Sequence, residues 1–114
     1  MPSFLKTPKT RSEPYRRYVA SLPCYRCGLV GFSQCAHGDE GKGMGLKTDD
    51  LTGYPLCGPR YMEPGCHEYV GRQMDRDTRR ALEQAGALWT KRELCAMSHL
   101  DRKLHKLLMK LGVM

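Results

Sequence analysis

The sequence is poor in the residues that usually build a hydrophobic core. Its 114 residues include only two phenylalanines and one tryptophan. Residues 24–71 have few large apolar side chains, yet they contain five of the six cysteines and ten of the twelve glycines. A small domain with this composition needs another source of folding free energy. A bound metal ion is the source that its cysteines favour.

Two further absences concern the cell compartment. Residues 1–11 are basic and contain prolines, but they lack the apolar run of a secretory signal. No stretch approaches the length of a membrane span, so we expect a cytoplasmic protein with no membrane partner. Because disulfides are rare in the cytoplasm, this expectation favours zinc over three disulfides, with both interpretations still open.

Four cysteines form two pairs that could share one zinc ion. Cys24 and Cys27 are separated by two residues, which lets both thiolates reach one tetrahedral ion at about 2.3 Å. Cys57 and Cys66 lie downstream with eight residues between them. We predict that these four residues form a structural zinc site. In an alternative site, His67 would replace Cys66.

Charge is distributed unevenly along the chain. The balance is +4 over residues 1–23, −2 over residues 24–71 and +5 over residues 72–114. Basic flanks around a slightly acidic centre suit a protein that binds a polyanion such as DNA, although surplus basic residues can also simply keep a small domain soluble. We predict phosphate contacts by Arg16, Arg17, Lys42 and Lys47.

Three residues between and beside the cysteine pairs could carry chemistry. The imidazole of His37 could take a proton from water, while Asp50 and His67 could hold a divalent ion against a phosphate. A lone histidine is more often structural, and two aspartates before a strand more often form a turn. Spacing alone therefore leaves the structural alternative open.

The N-terminal part of the chain predicts an arm followed by a helix. Residues 1–11 have the composition of a disordered basic arm. Ser12 can cap a helix whose apolar face includes Tyr15 and Val19, and Pro23 ends it before the first cysteine. We predict that this helix packs against the cysteine-rich region.

Residues 72–114 form a basic extension with two predicted helices. Asp75 or Asp77 can cap the first, which Gly86 would end. Thr90 can cap the second, with Glu93 as its capping-box partner. An apolar stripe from residue 94 to residue 111 would pack on the protein's own domain or join two copies in a homodimer.

Several motifs within residues 15–71 resemble those of phage and prophage HNH-type nucleases, particularly the RecA-dependent nuclease Ref and its small relatives. These motifs are Tyr18-Val-Ala-Ser-Leu-Pro-Cys24, Cys27-Gly28, Ala36-His37, Gly43-Met-Gly45-Leu-Lys47-Thr-Asp49-Asp50, Pro55-Leu-Cys57 and Cys66-His67. The Gly-Met-Gly-Leu-Lys run, followed by Asp and Pro-Leu-Cys, is the most specific part. Gly71 departs from the family, because many members have a second helix histidine there.

The resemblance implies a catalytic site as well as a fold. His37 would be the general base, Asp50 would place the metal or the base, and His67 would be the first helix ligand of a catalytic Mg²⁺ or Mn²⁺ ion. The four paired cysteines would hold structural zinc. The setting would be the cytoplasm of a bacterial or phage-infected cell, with a recombination protein or another phage or host protein as a candidate partner.

The sequence therefore predicts a small zinc-stabilised α+β domain. Its centre, residues 12–71, would be a ββα-metal module of HNH type, flanked by an N-terminal helix and two helices in residues 72–114. We expect a metal-dependent DNA endonuclease. One alternative is a non-catalytic zinc-stabilised protein that binds nucleic acid, and another is an interaction module that acts through residues 94–111 as a homodimer.

Overall fold

A computed structural model describes residues 10–37, 49–60 and 62–114. The predicted arm at 1–11 lies almost entirely outside these ranges. The described residues form an α+β structure with four α-helices and one two-stranded sheet. The elements are α1 (Glu13–Ala20), β1 (Ser33–Ala36), a 3₁₀-helix (Asp50–Thr52), β2 (Tyr54–Cys57), α2 (Cys66–Arg72), α3 (Arg76–Met97) and α4 (Arg102–Leu111).

Helix α1 begins where the sequence predicts. The Ser12 hydroxyl accepts a hydrogen bond from the Tyr15 N–H at 3.2 Å, and a proline occupies the first turn, where its missing N–H has no cost. The side chains of Tyr15, Val19 and Leu22 lie on one buried face. That face fixes how α1 packs on the rest of the protein.

The sheet brings distant parts of the cysteine-rich region together. Strands β1 and β2 are antiparallel, with Ser33 opposite Cys57 and Ala36 opposite Tyr54. Every residue of β2 is buried, because α1, α2 and α3 all pack against it. A first core surrounds this strand; it comprises Cys24, Ala36, Tyr54, Leu56, Cys57, Cys66 and Val70.

Helix α2 starts close to the end of β2 because Gly65 permits a tight return of the chain. Its φ of +88° is strained for other residues. A Cβ atom here would also meet the carbonyl oxygen of Cys57 at 2.6 Å. Only glycine fits, and this close approach brings Cys66 beside Cys57.

The predicted end of a helix at Gly86 is wrong. Helix α3 runs unbroken from Arg76 to Met97 and is capped by Asp75, whose carboxylate accepts from the Thr78 N–H at 3.0 Å. A Cβ atom at Gly86 would lie 2.7 Å from the Tyr54 ring. The glycine therefore serves close packing of α3 on β2, rather than helix termination.

The predicted helix start at Thr90 is also wrong. Thr90 is buried inside α3, and its hydroxyl donates to the Gly86 carbonyl at 2.7 Å. The chain breaks instead between α3 and α4, where Asp101 accepts from the Leu104 N–H at 3.0 Å and caps α4. Leu100, which the predicted stripe includes, falls in this break and is 97% exposed.

The C-terminal helices pack on the protein's own domain. A second core contains side chains from α1, from the end of α3 and from α4; its buried members are Tyr15, Val19, Leu22, Leu94, Leu104 and Leu108. Most of the apolar stripe therefore packs on the protein's own domain, which was the first of the two predicted alternatives. Within the described ranges, no helix has both the length and the apolar character that a membrane crossing requires.

Candidate metal centre and histidine site

The four paired cysteines meet at one point. The Sγ atoms of Cys24, Cys27, Cys57 and Cys66 all lie within 4.8 Å of one another. The Cys27 and Cys57 sulfurs are 3.8 Å apart. Four sulfurs at about 2.3 Å from a tetrahedral ion would be separated by about 3.8 Å. The cluster could therefore hold a metal ion such as zinc.

Local backbone geometry prepares the cluster. Gly28 adopts φ +82° and donates its N–H to the Cys24 carbonyl at 2.8 Å, which closes the turn that carries Cys24 and Cys27. The Tyr25 N–H donates to the Pro55 carbonyl at 2.8 Å and fixes this turn against β2. The predicted knuckle and its glycine are confirmed.

Hydrogen-bond donors surround the sulfurs. The Cys66 N–H and Arg60 both donate to the Cys57 sulfur at 3.2 Å, and Arg26 donates to the Cys66 sulfur at 3.4 Å. Burial raises the pKa of the Cys57 thiol, but hydrogen bonds from Cys66, Cys27 and Arg60 outweigh burial and lower this pKa to about 7. Two guanidinium groups thus oppose the net negative charge that four thiolates and one zinc ion would carry.

The alternatives to a four-cysteine site do not match the structure. All six cysteines lie within the described residues, and all six are free thiols, so the disulfide alternative is wrong here. His67 does not replace Cys66 in the cluster. Its Nδ1 atom lies 2.8 Å from the Gln34 amide oxygen instead.

His37 and Asp50 form a direct pair. His37 Nε2 lies 2.9 Å from Asp50 Oδ1, and Asp50 is 1% exposed. Because a carboxylate only accepts hydrogen bonds, the imidazole donates from Nε2, and in the neutral form of the ring the lone pair then lies on Nδ1. Asp49, its neighbour, forms the predicted turn by accepting from the Leu51 N–H at 2.9 Å.

The second oxygen of Asp50 is held by the N-terminal segment. Asp50 Oδ2 accepts from the Ser12 N–H at 2.6 Å and from Arg16 at 3.1 Å, and the Arg11 guanidinium lies 3.9 Å away. The Asp50 N–H donates to the Thr10 carbonyl at 2.8 Å. Both oxygens are therefore engaged, and that Asp50 places a catalytic base stays a prediction. That Asp50 also holds a divalent ion stays a prediction.

Two of the predicted phosphate contacts lie in the described part of the chain. Arg16 is directed to Asp50 and is one-third exposed, whereas Arg17 is exposed and pairs with Glu13 at 3.0 Å. Lys42 and Lys47 lie outside the described residues. Phosphate binding by these side chains stays a prediction.

His67 and His37 both line a cavity of about 190 Å³. Burial, together with the positive charge that His37 can carry, lowers the pKa of His67, which favours the neutral form of its imidazole. With Nδ1 donating to the Gln34 amide oxygen, the Nε2 lone pair is available to a ligand. Asp50 is not among the cavity's described lining residues. Of the His37–Asp50 pair, only His37 therefore shares the cavity with His67.

The cavity has a wall that the sequence interpretation missed. Arg79 and Glu83 of α3 line it together with Gly71 and the two histidines. In the sequence, the only sign of this wall is that Arg79 and Glu83 are four residues apart, which indicates an ion pair on a helix. The spacing does not show which face of α3 packs against the sheet. The unbroken passage of α3 over β2 places them there.

Comparisons with known proteins place little constraint on function. No family model matches the sequence, and no solved structure matches it. Over 67 residues the chain is 39% identical to the uncharacterized protein YdfU of Escherichia coli strain K12, a match that covers 54% of this chain and 19% of YdfU. The matched segment thus spans about a fifth of that protein's length, and this similarity assigns no family.

Proposed function

We propose that the protein is an HNH-type endonuclease that hydrolyses DNA phosphodiester bonds with His37 as the general base. The observation that best supports this proposal is the 2.9 Å contact between His37 and the buried Asp50. The pair lies beside a cavity that also contains His67. The order of β1, β2 and α2 around a cysteine cluster agrees with the ββα-metal fold that the resemblance implies.

The proposed base step starts from the contact between His37 and Asp50. Asp50 holds the Nε2–H of His37, so Nδ1 can take a proton from water. The water oxygen then bonds to phosphorus, the bond from phosphorus to the leaving oxygen breaks, and that oxygen gains a proton from solvent. Asp50 stabilises the imidazolium that forms, while Ser12 and Arg16 keep the carboxylate in place.

A catalytic divalent ion fits the described residues only in part. His67 offers one nitrogen, but both Asp50 oxygens already have partners. Among the described residues, the four cysteines are the only group of three or more metal-ligating side chains in close proximity. A bound ion would add positive charge at the phosphate. Metal dependence stays a prediction, and no step above is assigned to the ion.

The test combines metal content with plasmid cleavage. Zinc would be counted per chain, and the protein would be incubated with supercoiled DNA, with and without added Mg²⁺ or Mn²⁺. We expect about one zinc per chain, together with nicking that His37→Ala abolishes. His105→Ala, which removes an exposed histidine of α4, is the matched control and should cut normally. Cleavage by a folded His37→Ala protein would refute the role of His37.

A second candidate is a zinc-stabilised protein that binds nucleic acid without catalysis. The hydrogen bonds of Asp50 to Ser12 and Arg16 favour this candidate, because holding α1 in place would by itself explain why a carboxylate is buried here. In that case DNA binding would persist in His37→Ala, and no divalent ion would produce nicking by the wild type. The third alternative, an interaction module, is less well supported because α1 already covers Leu94, Leu104 and Leu108. A partner protein and a homodimer both stay predictions.

A further inference from the structure

The cavity that the two histidines line also contains an arginine, which is paired with a glutamate. Arg79 belongs to α3, outside the region that resembles HNH-type nucleases, yet it lines the same cavity as His37 and His67. No described lysine and no other described arginine is among the lining residues. A guanidinium beside a base and a metal-competent imidazole is well suited to a phosphate group.

The contacts of Arg79 include one to its own helix and one to α2. Its Nε lies 3.8 Å from a carboxylate oxygen of Glu83, one turn further along α3, and its Nη1 donates to the Gly71 carbonyl at 3.4 Å. The Arg79 side chain is 22% exposed and that of Glu83 is 9% exposed. A phosphate oxygen at about 2.8 Å would form the charge-assisted hydrogen bond that a guanidinium favours.

The position of Arg79 relative to His67 follows from helix geometry. His67 and Gly71 are four residues apart and lie on the same face of α2. Arg79 contacts the backbone of Gly71, so its guanidinium lies about one turn beyond His67. Gly71 has no side chain to separate the two, and a Cβ atom there would meet no described atom within 4 Å.

A larger groove borders the cavity. A neighbouring groove of about 540 Å³ shares His67 and Gly71 with it and includes Arg72. A strand whose phosphate occupied the cavity could follow a path past these two shared residues toward Arg72. Contacts made by arginines along such a path would bind the backbone without reading base sequence.

We propose that Arg79 is a catalytic residue that binds the non-bridging oxygens of the scissile phosphate. This proposal rests on the proposed nuclease function. Arg79 would neutralise charge that develops on those oxygens as water attacks, while Glu83 acts as a positioning residue for the guanidinium. Removing one such donor typically lowers a rate by roughly 100-fold. The exposed neighbour Arg80 should have no such role.

The test compares Arg79→Gln, Arg79→Lys and Arg80→Gln, which are matched in their place on α3. Far-UV circular dichroism and zinc content would establish folding. Plasmid cleavage and fluorescence anisotropy of a short labelled oligonucleotide would then be measured separately. We expect cleavage to fall roughly 100-fold in Arg79→Gln and roughly tenfold in Arg79→Lys, which keeps the charge but loses the planar donors. Arg80→Gln should stay within about twofold of wild type.

The outcomes separate this proposal from the nuclease proposal. If the wild type cuts DNA and Arg79→Gln cuts as fast as Arg80→Gln, the role of Arg79 is wrong and the nuclease stands. If the wild type binds but never cuts, the nuclease is wrong. The oligonucleotide affinities then decide whether Arg79 contacts phosphate. A loss of affinity in Arg79→Gln but not in Arg80→Gln supports this contact, and equal losses in the two variants overturn it. If the wild type neither cuts nor binds DNA, both proposals are wrong. If Arg79→Gln does not fold, Arg79→Lys is compared with Arg80→Gln in its place.

Discussion

Replacing Gly86 by alanine tests whether α3 really crosses β2 without a break. In an exposed helix this change would stabilise the protein by about 1 kcal/mol, because alanine has the higher helix propensity. In this structure the new methyl group would lie 2.7 Å from one carbon of the Tyr54 ring and 2.9 Å from another. Two effects of opposite sign therefore compete at one position.

The packing effect should win. Tyr54 is 1% exposed, its backbone is paired with Ala36 in the sheet, and its ring meets that of Tyr25 at a centroid distance of 6.3 Å. The ring has little room to retreat, and overpacking of a core typically costs about 1–3 kcal/mol. After subtracting the propensity gain, we expect the free energy of unfolding to fall by about 1 kcal/mol, and by up to about 2 kcal/mol.

Gly71→Ala is the matched control, because it makes the same chemical change in α2. A Cβ atom at Gly71 would meet no described atom within 4 Å, so only the propensity gain should remain, about 0.5–1 kcal/mol. Urea unfolding at one fixed zinc concentration would measure both variants. The two changes should have opposite signs. A Gly86→Ala protein that gains as much stability as Gly71→Ala would refute the close packing of α3 on Tyr54.

The contacts of Asp50, the thiol of Cys35 and the cysteine cluster each give another measurable outcome. Arg16→Gln should lower the free energy of unfolding by about 1–3 kcal/mol, because buried Asp50 loses a charged donor. Arg17→Gln should change it by less than about 0.5 kcal/mol, and equal effects in urea would contradict the Asp50 contact. Burial raises the pKa of Cys35 from 9.0 to about 12, so its contribution to stability is complete below pH 9 and is lost as pH rises to 12. Cys35→Ala should flatten that decline in alkaline urea titrations, and an unchanged decline would show that another group causes it. Cys24→Ser should lower the zinc content and the helical circular dichroism together, and a helical signal that survives complete zinc loss would contradict a metal-stabilised fold.

The cysteine cluster could be predicted because its information is local. A two-residue spacing already places Cys24 and Cys27 within reach of one ion, and glycine marks the turn between them and β1. The start of α1 could be predicted for the same reason, since a cap acts within one turn. The contact between His37 and Asp50 depends on more than spacing. It forms because His37 follows β1 directly and Asp50 precedes β2 by a few residues, and the register pairs the ends of the two strands.

The boundaries of α3 could not be predicted, because one residue type serves two purposes. Glycine commonly follows the end of a helix, but it also allows a helix to approach another element closely. Only the position of Tyr54 shows which purpose Gly86 serves. Thr90 is ambiguous in the same way, since a threonine hydroxyl can cap a helix or bond back to the preceding turn. The cavity wall at Arg79 was missed because it depends on this same placement.

Helix α1 contacts both the slightly acidic central region, through Asp50, and the basic C-terminal region, through α4. At its start, Ser12 and Arg16 hold Asp50, while further along the same helix Val19 packs with Leu104 and Leu108 of α4. The amide protons of α1, α4 and Asp50 should therefore exchange with solvent as one cooperative unit. Proteolytic removal of α4 would expose the apolar face of α1 and loosen the carboxylate that orients His37. The last helix, although remote from the cavity in sequence, would in this way be required for His37 to act as the proposed base.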